Sequence, residues 1–341
     1  MMFLDAGNLI QKVARALTVA AVTLLPLHAL AATPDKPGQG KSVTPIFPPI
    51  AEERFRGEVA MAGLRELGYT VKDPKETEYP TMMVALSQGD ADFTVHLWDK
   101  LHDKFYQKVG GDDTLVKTGD VIPGVVQGYL IDKKTADKHG IRFLTDLKDP
   151  KIAKIFDFNG DGKADLTGCN PGWGCELAID HHLKAYGLER TVSHNRGSYF
   201  ALMADTITRY KQGQPILYFT WAPQWISGVL VPGKDVVWLE VPHTDLPGGD
   251  NKVNTMVDGK NLGFAVDTVK AVINKDFAKK NPAAREFLGR VQISAADESA
   301  QNLRMQNGEK SADDIRRHAA DWVKQHRGQF DDWLSQARAA K

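Results

Sequence analysis

"TGCNPGWGCE", residues 167–176, holds both cysteines of the chain and places Trp173 between two glycines, inside the pair. The residues that follow, "CELAIDHHLKAYG", have the spacing of a helix that begins just after Trp173. One rigid turn therefore carries an indole, two thiols and a helix start.

Working outward, the N-terminus sets the compartment. Lys12 and Arg15 precede an apolar run from Ala16 to Leu30, and Ala29-Leu30-Ala31 offers a small-x-small cleavage site. This is the pattern of a cleaved secretory signal peptide over residues 1–31, and it predicts a periplasmic chain. The run is shorter than the about 20 apolar residues a membrane helix needs. Residues 32–40 are polar and rich in Pro and Gly, a flexible leader. Export makes a Cys169–Cys175 disulfide expected. The spacing is not C-x-x-C, which argues against a redox role. So short a ring is worth roughly 2–3 kcal/mol of chain entropy, so its use is local: it fixes the direction of Trp173.

The 341 residues are 42% hydrophobic and 25% charged, an ordinary globular composition, with Lys plus Arg equal to Asp plus Glu at 43 each. A near-neutral chain with no polybasic run is a poor match for nucleic acid or an anionic membrane surface. A small solute or another protein is the expected partner.

Strand and helix patterns alternate. "AEERFRGEVAMAGLRELG" (51–68) and "TMMVALSQGD" (81–90) are helical, and "ADFTVHLW" (91–98) is a strand that delivers Trp98 at its end. "VVQGYLIDKK" (125–134) is a strand, "LTDLKDPKIAKIF" (144–156) a helical region broken at Pro150, and "FALMADTITRYKQG" (200–213) a helix. "PILYFTW" (215–221) is a strand ending at Trp221, "DVVWLEVP" (235–242) another, and "LGFAVD" (262–267) a strand crossing back. From Phe277 to Ala340 the chain is helical. The alternation predicts an α/β fold with a parallel sheet and covering helices. Ligands of such sheets sit at strand C-terminal ends and helix N-termini, where Trp98, Trp173 and Trp221 all fall.

"DLTGCNPGWGCE" (165–176), "YFTWAPQW" (218–225), "VVQGYLIDKKTADK" (125–138) and "PGKDVVWLEVP" (232–242) together resemble the periplasmic glycine betaine-binding proteins of osmoregulatory ABC transporters, from about Lys41 to the C-terminus. The resemblance implies a two-lobed, type II periplasmic-binding-protein fold, each lobe a sheet flanked by helices, with the ligand in the cleft. It implies a trimethylammonium cage of Trp98, Trp173 and Trp221. It also implies a carboxylate grip by His102 and the backbone N–H groups of Gly174 and Cys175. In "LWDKLHDK" (97–104), Lys100 stands where the family has proline. The expected lobes are 41–128 plus 243–341, carrying Trp98 and His102, and 129–242, carrying Trp173 to Cys175 and Trp221. The implied role is a non-enzymatic receptor, expected to be monomeric, that hands glycine betaine, and also proline betaine, to a permease driven by a separate ATPase subunit. The alternative is a receptor for another quaternary ammonium, such as choline or carnitine.

The chemistry agrees independently. A quaternary ammonium has charge but no N–H to donate, so it is held by the negative faces of aromatic rings, at roughly 0.5–2 kcal/mol for each desolvated contact. A primary ammonium in the same dry cage would leave its donors unpaired, at ~1–3 kcal/mol. The first N–H groups of the helix after Trp173 lack internal partners and favour an anion.

"DFNGDGKAD" (157–165) opens like an EF-hand loop, with Asp157, Asn159, Asp161 and Asp165 as oxygen donors. Gly168 stands where such a loop carries a bidentate Glu. A shortened structural Ca2+ site is a secondary expectation beside a plain Asx-rich turn. No cofactor is required for the reading.

Overall fold

The computed structural model describes residues 35–249 and 251–341; the expected signal peptide lies outside them. Seven strands form the central sheet: β1 Phe93–Trp98, β2 Leu115–Asp132, β3 Ala164–Thr167, β4 Val192–Asn195, β5 Leu217–Ala222, β6 Val236–Trp238 and β7 Asp267–Asn274. Their order is β1-β7-β2-β5-β3-β4, with β6 on β2 as well. The main helices are α1 Arg54–Glu66, α2 Tyr79–Gln88, α3 Gly174–Ala185, α4 Tyr199–Lys211, α5 Pro282–Arg290, α6 Ala295–Gln306, α7 Ala312–Gln325 and α8 Arg327–Ala339.

β2 is the axis of the molecule. Its first half, Leu115 to Val125, pairs antiparallel with β7, while Val126 to Ile131 pairs with β5 and Leu130 to Asp132 with β6. One 18-residue strand thus belongs to two half-sheets. The changeover at Val125–Val126 puts Gln127 opposite Trp221.

The expectation of a parallel sheet is corrected: the sheet is mixed. β1 and β2 both run antiparallel to β7, which inserts between them from late in the chain. Alternation of strand and helix reports the direction of successive strands and not what a later segment places between them. Parallel pairing survives for β3 with β4 and β5. "LGFAVD" is also corrected, because strand β7 starts only at Asp267. Leu262 and Val266 instead bond their N–H groups to Thr255 and Asn254 of a neighbouring loop.

Every residue of β1 is buried, as expected for a strand covered on both faces. α1 begins after a short 3-10 turn at Ala51–Glu53 and packs against α7 and α5. α2 ends at Gly89 in the left-handed conformation, φ 78°. A capping box of Ser311 and Asp314 starts α7. The C-terminal region is helical as read, in separate segments that bury Phe287, Phe330 and Trp333 against one another.

Candidate functional site

The cysteines form the disulfide Cys169–Cys175, and both are buried. The loop they close is tied down further. Trp173 N–H donates to Asn170 O at 3.2 Å, Gly172 N–H to Glu176 Oε2 at 2.7 Å, and Tyr199 N–H to Asn170 Oδ1 at 2.8 Å. Trp173 is the extended N-cap of α3 (φ −77°, ψ 152°) and supplies no side-chain cap. The first N–H groups of α3, those of Gly174 and Cys175 among them, have no helical partners.

Trp173, Trp221, Trp98, His102 and Cys175 line one cavity together with Ile50, Glu53, Tyr79, Leu101, Gln127 and Phe219. The Trp173 and Trp221 rings meet edge to face, 5.9 Å apart at 71°, and Tyr199 backs Trp221 at 4.7 Å. Trp98 reaches the cavity from the end of β1, and each indole is 5–7% exposed. Such a set of ring faces attracts a cation without N–H donors.

His102 lies on the same wall. Its ring packs 3.9 Å from Tyr79 and 5.7 Å from Phe105. Burial pushes its pKa down to about 3, so it is a neutral imidazole at physiological pH. Its Nδ1 is buried without a hydrogen-bond partner. Gly174 touches this loop: a Cβ there would sit 2.7 Å from Leu101 Cγ and 2.9 Å from His102 Cδ2. The helix start and the imidazole converge because residue 174 has no side chain.

The loop from Trp98 to His102 is held by Asp267 at the start of β7. Its carboxylate accepts the N–H of Lys100 at 2.9 Å and of Leu101 at 3.0 Å, and burial raises its pKa to about 6. A proline at 100 could not donate the first of these bonds.

The cage cavity has a volume of about 30 Å³. A neighbouring hollow of about 330 Å³ shares Leu101 and Gln127 with it and is lined further by Lys100, Lys104, Leu246 and Asp267, but by none of the three indoles.

Sequence reasoning missed Glu53, Tyr79 and Gln127. Glu53 precedes α1 among other charged residues and looks solvent-facing; Tyr79 and Gln127 sit inside ordinary helix and strand patterns. No local signal separates them from structural residues. The acidic loop at 157–165 closes on itself. Asp157 accepts the N–H of Gly160 and Gly162 at 2.7 and 3.0 Å. Asp165 accepts Phe158 N–H at 2.7 Å and Asn159 Nδ2 at 2.9 Å, and Asn159 Nδ2 also reaches Asp161 at 3.4 Å. Among the described residues no group of three His, Cys, Asp or Glu side chains is placed to hold a metal ion.

A sheet divided into two halves by one long strand, with an aromatic cavity beside the changeover, defines a two-lobed solute-binding protein. The chain belongs to the family described as the substrate binding domain of ABC-type glycine betaine transport systems, whose model matches residues 41–325. It is 51% identical to the glycine betaine-binding periplasmic protein OusX of Dickeya dadantii, over 95% of this chain and 97% of that one. It is 50% identical to the glycine betaine/proline betaine-binding periplasmic protein of Escherichia coli, over 94% and 97% of the two chains. Among solved structures, lactococcal OpuAC in its closed form with glycine betaine superposes with a TM-score of 0.66 at 21% identity, covering 86% of this chain and 99% of that chain. A choline-binding protein of an ABC transporter, in complex with choline, gives 0.68 at 18% identity, covering 87% and 96%. The protein is thus the substrate-binding component of a transport system and not an enzyme. Among the described residues no helix is long and apolar enough to cross a membrane.

Proposed function

We propose that this chain captures glycine betaine, and also proline betaine, between Trp98, Trp173 and Trp221. In this reading the ligand carboxylate is gripped by His102 and by the N–H groups of Gly174 and Cys175. The observation that carries it is the convergence of three indole rings, a buried neutral imidazole with an unpartnered nitrogen and Cys175 of the uncapped helix start around one cavity, with Gly174 on the adjoining hollow. The rings recognise the methylated cation, and the polar end recognises the anion, so both ends of a zwitterion are read. Choline has no carboxylate and leaves the polar end unused.

The lobes are taken as 41–128 plus 243–341 and 129–242. A ligand touching both favours the closed form by differential binding. The closed monomer then delivers its ligand, in the periplasm, to the permease of an ABC transporter powered by its ATPase subunit. The periplasmic relatives support that compartment.

Calorimetric titration with glycine betaine, proline betaine, choline and proline tests the reading. Micromolar binding, about 8 kcal/mol, is expected for the two betaines, with choline and proline much weaker. Choline binding as tight as betaine would overturn it. A second expectation concerns Gly174→Ala. Its methyl group would push the helix start away from Leu101 and His102 and weaken glycine betaine at least tenfold, about 1.4 kcal/mol. Choline, which does not use the grip, should change less than threefold, a shift of about 0.6 kcal/mol.

A further inference from the structure

Behind the cage, the indole N–H groups meet carboxylates. Trp173 Nε1 donates to Glu78 Oε2 at 2.9 Å, and Trp98 Nε1 to Glu53 Oε1 at 3.5 Å. An indole N–H needs only an acceptor; a carbonyl or hydroxyl would serve without charge. A buried carboxylate is expensive to desolvate, yet Glu53 is 4% exposed and lines the cavity itself. Its second oxygen accepts Tyr79 Oη at 2.9 Å and faces Arg56 Nη2 at 2.7 Å. Arg56 also meets Glu298 at 2.9 Å, so one buried guanidinium serves two buried carboxylates. Burial pushes the Glu298 carboxyl up to a pKa of about 7, so its hold on Arg56 is only partial at neutral pH, beside a cavity that Glu53 lines.

We propose that Glu53 and Glu78 are specificity-determining residues: they accept the N–H groups of two cage indoles, hold negative charge behind the rings, and select a cationic headgroup over a neutral one of the same shape. Two effects act together. A charge-assisted hydrogen bond draws the indole proton towards the anion and enriches the ring face that meets the ligand. The carboxylate charge also attracts the cation through a medium of low dielectric constant. This rests on the function proposed above.

The test uses glycine betaine and 3,3-dimethylbutanoate, which replaces the quaternary nitrogen by carbon and keeps the carboxylate. Both are titrated into the full chain, into E78Q and into E53Q, the anionic carbon isostere by displacement of betaine. Glutamine keeps a carbonyl to accept each indole N–H, removes the charge and turns the second oxygen into an NH2 donor. Glu78 is half-buried, so E78Q keeps the proposal testable should E53Q fail to fold on losing its ion pair with Arg56. Betaine affinity is expected to fall about tenfold in E78Q, with the affinity for the isostere, whose headgroup alone is neutral, unchanged or higher. An equal loss for both ligands would mean that the glutamates only orient the rings and would overturn the inference. So would an E78Q protein identical to wild type. Failure of wild type to bind betaine at all is a different result, and it would refute the proposed function itself.

Discussion

Replacing Trp173 by Ala is expected to raise the dissociation constant for glycine betaine at least tenfold, about 1.4 kcal/mol. In the proposed binding mode the side chain contributes one face of the cage, worth roughly 0.5–2 kcal/mol as a cation–π contact. Its removal also takes away the edge that Trp221 packs against, 5.9 Å away, and lets water reach the cation. The disulfide and the Asn170 hydrogen bonds do not depend on the indole, so the loop should keep its place. Near-native melting with weakened calorimetric binding is the expected pair of results. Trp173→Phe should fall in between, since a smaller ring keeps a π face. Wild-type affinity in the Ala variant would sink the cage.

The second large effect is on stability. A Cβ on Gly63 would lie 1.9 Å from Phe287 Cζ, with two more ring atoms within 2.6 Å. The ring has nowhere to retreat: Phe287 is fully buried, with Phe330 at 5.8 Å and Trp333 at 6.4 Å. Overpacking of this kind costs about 1–3 kcal/mol, against a gain of up to ~1 kcal/mol from better helix propensity. An overlap of this depth belongs at the top of that range. G63A should therefore lower Tm by roughly 5 °C, at about 2–4 °C for each kcal/mol in a chain of this size. Position 63 is two turns along α1 from Arg56, so betaine affinity at a fixed temperature should not change. Adding Phe287→Leu makes room and should restore part of the loss. An unchanged Tm in G63A would mean that α1 and α5 slide apart freely, contrary to the packing described.

Much of the candidate site was legible in the residues. Trp98, Trp173 and Trp221 stand at strand ends and a helix start, the places where α/β sheets hold ligands. The cysteines around Trp173 declared a stapled loop. His102 was readable only through the family resemblance, because a lone histidine after a strand carries no local mark of its surroundings. Glu53 and Glu78 were not readable at all. Each looks like a surface charge, and its meaning depends on an indole brought to it from 45 or 95 residues away.

The sequence by itself determined the α/β alternation, the expected export, the disulfide turn and the identity of the aromatic residues, because these rest on local periodicity, spacing and side-chain chemistry. Only the tertiary structure decided that β7 runs between β1 and β2 in the opposite direction, and that β2 serves two half-sheets. It alone set the carboxylates behind the cage rings. The physical reason is common to all three: long-range pairing is won by whichever distant segment best satisfies an open edge or a buried donor, and that competition leaves no trace in the spacing of neighbouring residues.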